Sequence, residues 1–186
     1  MIIKSFELNK IDLKKNQFFL LYGENQGLKN EIIEKKFKFN HSKNIYNYDE
    51  AEVLNNEANF FDNILSKSFF ENEKLIIINR SSDKIKNVIE EIVEKKIEEV
   101  TLVLNANILD KKSKLRTFFE KNKELICIPF YADNNQTLVG IVSDFFRKNK
   151  IAISQQAINL IVERCRGDRQ NLNNELQKIQ SFLKNK

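Results

Sequence analysis

Four short apolar runs and one stretch whose Ile45, Tyr46 and Tyr48 favour extended structure, separated by stretches with helical periodicity, constrain this chain more than any other feature of its sequence. The strongest run, residues 74–79, is rich in isoleucine, a residue that favours β-strands. Runs that are apolar at nearly every position are typical of strands buried on both faces of a parallel sheet. We therefore predict an α/β domain with a parallel sheet whose strands are residues 18–22, 44–48, 74–79, 100–104 and 125–128, the last stopped by Pro129.

Apolar residues at helical spacing lie between the predicted strands, and from Asn134 onward this is the only pattern present. Apolar residues three and four apart predict helices from about Gln26, over 57–67, after a Ser82 cap and over 112–121. From Asn134 onward there is no strand-like run, only three helical stretches, the second of them capped by Ser154. The predicted organisation is an α/β domain over 1–132 and a small three-helix domain over 133–186.

The charge of the chain narrows its function only slightly. A formal net charge of +5 permits contact with nucleic acid, but 26 acidic residues lie among 31 basic ones, so a solvated lysine-rich surface explains the charge equally well. Cys127 and Cys165 match no metal spacing and are expected to be reduced thiols. No signal peptide and no apolar run of roughly 20 residues is present, so we expect a cytoplasmic protein with no membrane contact.

The segment after the first strand lies where a nucleotide-binding P-loop would lie, yet it lacks the required residues. A P-loop has the pattern Gly-x-x-x-x-Gly-Lys-Ser/Thr, in which backbone N–H groups, the lysine and the hydroxyl hold the phosphates and Mg²⁺. Here Gly23 and Gly27 are one residue too close, Leu28 replaces the lysine, Lys29 follows it, and no hydroxyl is present. The strand over 74–79 is followed by Arg80 and offers no carboxylate for Mg²⁺. We expect no bound nucleotide, no metal, no cofactor and no catalysis, and we interpret the single histidine, His41, as a solvated loop residue.

Four segments, taken in order, resemble the delta subunit of bacterial DNA polymerase III, a clamp-loader subunit with an AAA+-like fold. They are residues 19–23 leading into the helix at 28–31, 68–70 before the strand at 74–78, 102–104 followed by Leu-Asp-Lys-Lys-Ser-Lys-Leu at 109–115, and 167–178. Each is weak alone, and the ordered set runs through nearly the whole chain. The resemblance implies a P-loop NTPase-like sheet domain followed by a small helical domain, the first two domains of that family. The family's third, collar domain would begin where this sequence ends. Of the two alternatives, a truncated form of a longer protein and a lineage without the collar, we expect the first.

The resemblance implies that the chain grips the sliding clamp and holds one ring interface open for loading onto primed DNA, with ATP used by other loader subunits. It would then be a non-catalytic subunit of a DNA-directed DNA polymerase, a nucleotidyltransferase. Phe69 and Phe70 fall on the family's clamp-binding pair, with Ser68 and Leu65 beside them. Adjacent side chains cannot readily share one core face, so at least one of these rings is expected at the surface, although burial of both stays an alternative from the residues alone.

Other readings stay open at this point. Arg169 lies where active relatives of the family sense nucleotide, and we expect a capping or interdomain ion pair there instead. Basic side chains of the helical domain, among them Arg147, Lys148 and Lys150, are candidate contacts to DNA. The competing functions are an ATPase with an unorthodox P-loop and a DNA-binding accessory module.

Overall fold

The computed structural model describes residues 1–13, 15–39, 44–65, 73–95, 97 and 99–184, with only the backbone described at 9, 10 and 184. These residues form two compact units. The first unit comprises Met1–Glu24 and Ile32–Phe130, and the second comprises Asn25–Glu31 and Tyr131–Lys186. The second unit therefore includes a short segment from the first quarter of the chain. The predicted domain bounds of 1–132 and 133–186 stay a prediction.

The first unit is built on a parallel sheet of five strands, as the apolar runs predicted. The strands are β1 (Phe18–Gly23), β2 (Ile45–Asp49), β3 (Lys74–Ser81), β4 (Val100–Ala106) and β5 (Leu125–Phe130). Their order across the sheet is β2-β3-β4-β1-β5, and every pairing is parallel. In the interior strand β1, Phe19 is paired with Val103 on one side and with Ile126 on the other, and all three are buried. The apolar runs of β1, β3 and β4 thus lie in strands with neighbours on both sides, whereas β5, which is also apolar, is an outer strand.

Helices alternate with the strands, and most of them begin near the predicted residues. They are α1 (Gln26–Ile32), which continues into a π-helix at Ile33–Lys38, then α2 (Glu50–Asn55), α3 (Glu57–Leu65), α4 (Lys86–Glu94) and α5 (Lys114–Lys121). Apolar side chains of α2 to α5 form one core with one face of the sheet. On β1, Phe19 packs edge to face against Phe37 of the π-helix, with ring centroids 4.9 Å apart. The helix α2 had no counterpart in the prediction because six residues are too few to establish a helical period.

Two predicted boundaries were wrong for local reasons. Pro129 does not end β5, which continues to Phe130. The N–H and C=O of Cys127 point away from β1, towards Met1 and Ile3. Because backbone directions alternate along a strand, the nitrogen and C=O of Pro129 also point away from β1. A proline is tolerated there because its missing N–H would face the sheet edge. The helix predicted from residue 112 starts at Lys114, because the Ser113 hydroxyl caps it by accepting a hydrogen bond from the Arg116 N–H at 3.1 Å.

The second unit contains the three predicted helices, α6 (Asn135–Lys148), α7 (Gln155–Arg164) and α8 (Arg169–Lys184). The Asn134 side chain caps α6 by accepting from the Thr137 N–H at 2.8 Å, and Ser154 caps α7 as the sequence predicted, accepting from the Ala157 N–H at 3.2 Å. The apolar positions at helical spacing form the core of this unit, among them Leu138, Val142, Ile158, Val162, Leu172 and Leu176.

Candidate functional site

The connection between β1 and α1 is very short. β1 ends at Gly23 and α1 begins at Gln26, so only Glu24 and Asn25 lie between them. Gly23 has a φ of +124°, and a Cβ there would lie 2.2 Å from the carbonyl oxygen of Phe130. Its N–H donates to the Asn107 carbonyl at 3.0 Å. The first glycine of the loop is therefore needed for the packing of this connection against β5, which is a structural reason separate from phosphate binding.

Asn25 occupies the start of α1 with its own side chain. Its Oδ1 accepts a hydrogen bond from the Leu28 N–H at 3.0 Å, and its Nδ2 donates to the carbonyl of Tyr131 at 3.0 Å and to Asp133 Oδ2 at 2.9 Å. In a P-loop the N–H groups at this helix start bind phosphate oxygens. Here one of those donors is already used by the cap, and the Asp133 carboxylate brings negative charge next to it.

Gly27 lies in the first turn of α1 and packs directly against α8. A Cβ at Gly27 would lie 2.6 Å from the backbone nitrogen of Gln170 and 2.9 Å from the carbonyl carbon of Arg169. The side chain of Asn30 donates to Gln170 Oε1 at 3.1 Å. The second glycine therefore serves close approach of two helices within the second unit, and the space above it is filled by protein.

Lys29 is fully buried, with no exposed surface. Burial lowers the pKa of its amine to about 8, because a charged ammonium loses its hydration inside the protein. A lysine that serves as a phosphate ligand must reach the ligand from the loop, whereas this one is enclosed within the second unit.

Arg169, at the start of α8, lies at the centre of an ion-pair network. Its Nε donates to Glu31 Oε1 at 3.1 Å, and its terminal NH1 donates to Asp133 Oδ1 at 3.0 Å. Asn173 adds a bond to Glu31 Oε1 at 2.7 Å. Burial works against the charge of Arg169, but the hydrogen bonds and charges of Glu31 and Asp133 outweigh it and raise the pKa of the guanidinium.

Only part of this network could be predicted from the sequence. An ion pair of Arg169 was expected, but its partners lie 138 and 36 residues away along the chain. Glu31 is one of two acidic residues on the amphipathic helical stretch 26–38, and Asp133 follows the last strand. No local pattern distinguishes either carboxylate from its solvated neighbours.

Of the residues predicted to bind the clamp, only Leu65 lies in the described part of the chain. It is the last residue of α3 and is 46% exposed, although most large apolar residues of the unit are buried. Ser68, Phe69 and Phe70 lie outside the described residues, as does His41. The predicted DNA contacts Arg147, Lys148 and Lys150 are exposed at the end of α6, where Arg147 pairs with Asp144 at 2.6 Å.

Neither cysteine has the properties of a reactive thiolate. Burial raises the pKa of Cys127 to about 12 and also raises that of Cys165, so both stay protonated at neutral pH. Over the residues that the structure describes, no three His, Cys, Asp or Glu side chains come together in a way that could hold a metal ion. Within the same residues, no helix combines the length and the apolar character needed to cross a membrane.

The strand order β2-β3-β4-β1-β5, the short loop after β1 and the following helical unit define an AAA+-like fold of the P-loop NTPase class. The predicted fold class is thereby confirmed. Among solved structures, the chain is similar to the Bacillus subtilis DNA clamp loader delta protein (YqeN), with a TM-score of 0.60 and 18% identity, covering 96% of this chain and 57% of that protein. The predicted resemblance to the delta subunit is confirmed as a likeness of fold.

The same fold is found in a second kind of AAA+ protein. The chain is similar to a single-residue variant of Thermotoga maritima RuvB, with a TM-score of 0.63 and 17% identity, covering 97% of this chain and 60% of that one. It therefore spans less than two thirds of either neighbour. No family model and no curated protein matches the sequence.

Proposed function

We propose that this chain is a clamp-loader subunit of the delta type, which binds a sliding clamp, helps to open the ring for loading onto primed DNA and does not hydrolyse ATP. The observation that carries the proposal is the combination of an AAA+-like fold, similar to a clamp loader delta protein, with a nucleotide loop filled by its own protein contacts. The proposed partners are the clamp, other loader subunits and primed DNA, in a polymerase holoenzyme to which this chain contributes no catalytic residue.

The absence of ATP hydrolysis is supported by what the loop residues do. Gly27 packs against Gln170, Lys29 is enclosed, and Arg169 is held by two carboxylates. A triphosphate carries several negative charges and would need those same donors. Binding would require breaking the network and separating α1 from α8. The alternative of an ATPase with an unorthodox P-loop requires this rearrangement, and the delta-type proposal does not.

The proposed clamp contact is the segment that follows α3. Leu65 presents an exposed apolar side chain at the end of that helix, and Phe69 and Phe70 follow within five residues. Aromatic residues often dominate the affinity of protein interfaces because they bury a large apolar area at little entropic cost. We propose that the rings of Phe69 and Phe70 insert into an apolar pocket on the clamp and that Ser68 belongs to the same contact.

The deciding experiment measures clamp affinity and melting temperature on the variant with Phe69→Ala and Phe70→Ala. Losing two interface aromatics, each worth about 2 kcal/mol, should weaken binding of a sliding clamp by on the order of a thousandfold, with the melting temperature nearly unchanged. The matched control is Phe39→Ala, which removes a ring that is 80% exposed elsewhere on the first unit and should leave clamp affinity intact. Unchanged clamp binding by the double variant, or a fall in melting temperature that accounts for the loss, would show that the contact lies elsewhere.

A contact to primed DNA at the end of α6 is the less specific part of the proposal. Arg147, Lys148 and Lys150 are exposed there, and phosphate contacts need only accessible positive charge. As an isolated DNA-binding module, the chain would have to bind DNA on its own with a steep salt dependence. A loader subunit needs this surface only within the assembly.

A further inference from the structure

The two edges of the parallel sheet differ in how they are protected. The outer edge of β5 is paired with the N-terminal segment, because the Cys127 N–H donates to the Met1 carbonyl at 2.9 Å and the Ile3 N–H donates to the Cys127 carbonyl at 3.0 Å. The other edge is β2, which pairs only with β3 in the described part of the chain. Unpaired edge strands offer a row of backbone donors and acceptors to another chain.

The outward groups of β2 can be assigned from the register. The Leu75 N–H donates to the Asn44 carbonyl at 2.8 Å, so alternation directs the backbone groups of Tyr46 and Tyr48 towards β3 and those of Ile45 and Asn47 away from it. Asp49 also faces outward, and its N–H is taken by Glu52 Oε2 at 2.8 Å. Within the described residues, the outward N–H and C=O of Ile45 and Asn47 have no protein partner.

A cavity of about 340 Å³ lies alongside this edge. Three carboxamide side chains line it, those of Asn47, Asn56 and Asn59, and the rings of Tyr48 and Phe60 form an apolar part, with centroids 5.1 Å apart. A carboxamide carries both donors and an acceptor, so it matches the alternating N–H and C=O groups of a peptide backbone. The carboxamides of the cavity can thus bind a peptide that lies alongside the open backbone of β2.

The negative charge of the residues around this edge favours a positively charged partner. Residues 45–65 carry five acidic side chains and no Lys, Arg or His, in a chain whose formal net charge is +5. Asp49 is paired with Arg80 from β3, but Glu57 and Asp62 are exposed. Local negative charge attracts a positively charged partner and speeds its association.

We propose that the β2 edge surface, defined as the outer edge of β2 with Asn47, Asn56 and Asn59, binds an extended basic segment of a partner protein by strand addition. The segment would pair with the backbone of Ile45 and Asn47, place alternate side chains in the carboxamide-lined cavity and direct its lysines or arginines towards the acidic side chains of residues 45–65. This surface does not include the segment proposed to bind the clamp, so either proposal can fail without the other.

The test uses the whole chain and an amidated heptapeptide of alternating lysine and valine as the probe. Titration into ¹⁵N-labelled protein should shift the amide signals of Ile45, Asn47 and Asn59, and the affinity should fall as salt is added. Asn47→Pro removes the outward N–H together with the Asn47 carboxamide, a change that an edge strand tolerates, and should weaken binding by at least about tenfold, the equivalent of one or two hydrogen bonds. Asn47→Ala keeps that N–H and should bind more tightly than Asn47→Pro.

A second probe avoids any change to the protein. The same peptide with all its backbone nitrogens methylated keeps its charge but cannot donate to β2, and it should bind at least about tenfold more weakly to the unaltered chain. Equal binding of the methylated and parent peptides would overturn strand addition, and equal binding of a glutamate–valine peptide would overturn the preference for a basic partner. Self-association that Asn47→Pro abolishes would assign the edge to a second copy of this chain and replace the proposal.

Discussion

At the scale of single residues, the second unit is organised by Arg169. The Asp133 side chain is 8% exposed and that of Glu31 is 22% exposed, so the guanidinium compensates two carboxylates that have lost much of their hydration. The network explains why α8 begins with a long basic residue at the helix end where the dipole disfavours positive charge. The ion pairs with Glu31 and Asp133 outweigh that unfavourable interaction.

Arg169→Met should lower the free energy of unfolding by about 3 kcal/mol, because it leaves two carboxylates partly buried without their counterion. Arg147→Met is the matched control, since Arg147 is 78% exposed and its pair with Asp144 should contribute less than about 1 kcal/mol. Urea unfolding of both variants checks this. Similar losses in the two variants would contradict the central role of Arg169.

Lys29 makes the stability depend on pH in the alkaline range. The folded chain releases the Lys29 proton near a pKa of about 8, whereas an unfolded lysine releases it near about 10.4. Between these values the unfolded state binds more protons, so stability rises with pH. Relative to Lys29→Met, the unaltered chain should gain up to about 3 kcal/mol between these two pKa values. A constant difference between the Lys29→Met variant and the unaltered chain across this range would contradict the burial of a titrating amine.

At the scale of elements, two glycines within helices have opposite consequences. Gly27 in α1 faces the backbone of α8 at a distance that excludes a Cβ, whereas nothing lies within 4 Å of a Cβ built on Gly140 in α6. Alanine is favoured over glycine in a helix interior by about 1 kcal/mol, because glycine has more freedom to lose on folding. The contact with α8 reverses this preference at one of the two sites only.

Gly140→Ala should therefore stabilise the chain by about 1 kcal/mol, and Gly27→Ala should destabilise it by about 1 to 3 kcal/mol, the usual cost of inserting a methyl group into a packed contact. Thermal unfolding of the two variants under the same conditions measures both signs. A stabilising Gly27→Ala would mean that α1 and α8 are not packed as the structure has them.

At the scale of the whole molecule, the AAA+-like fold is present while its nucleotide loop is used for packing. The loop residues that could have bound phosphate contact α8 and the segment after β5, and Asn25–Glu31 belongs to the second unit. In this chain the segment at the P-loop position makes internal contacts of the second unit.

Millimolar Mg-ATP should then leave the melting temperature unchanged. A ligand that binds the folded state stabilises it by RT ln(1 + [L]/Kd), about 2.7 kcal/mol at a hundredfold excess over Kd, which would be easily visible. The control is Mg²⁺ with inorganic sulfate at equal ionic strength. A rise in melting temperature specific to ATP would favour the competing ATPase function over the delta-type proposal.

The sequence by itself determined the features that depend on neighbouring residues. The continuous apolar runs specified four of the five strands, because a strand buried on both faces needs an apolar residue at nearly every position. The fifth, β2, was specified by the preference of Ile45, Tyr46 and Tyr48 for extended structure. The serine that caps α7 and the apolar spacing of α6 to α8 specified the helical unit. The departures of residues 23–30 from the P-loop pattern could also be predicted from the sequence, because they concern residues next to one another.

Only the tertiary structure decided what those residues do instead. Lys29 is one of many lysines in the sequence, and nothing local marks it as buried. Arg169 pairs with Glu31, which lies 138 residues away along the chain. The segment Asn25–Glu31 belongs to a unit that otherwise begins at Tyr131. Such pairings are set by how the helices meet in three dimensions, where burial makes a few charges strongly interacting and leaves identical residues elsewhere solvated.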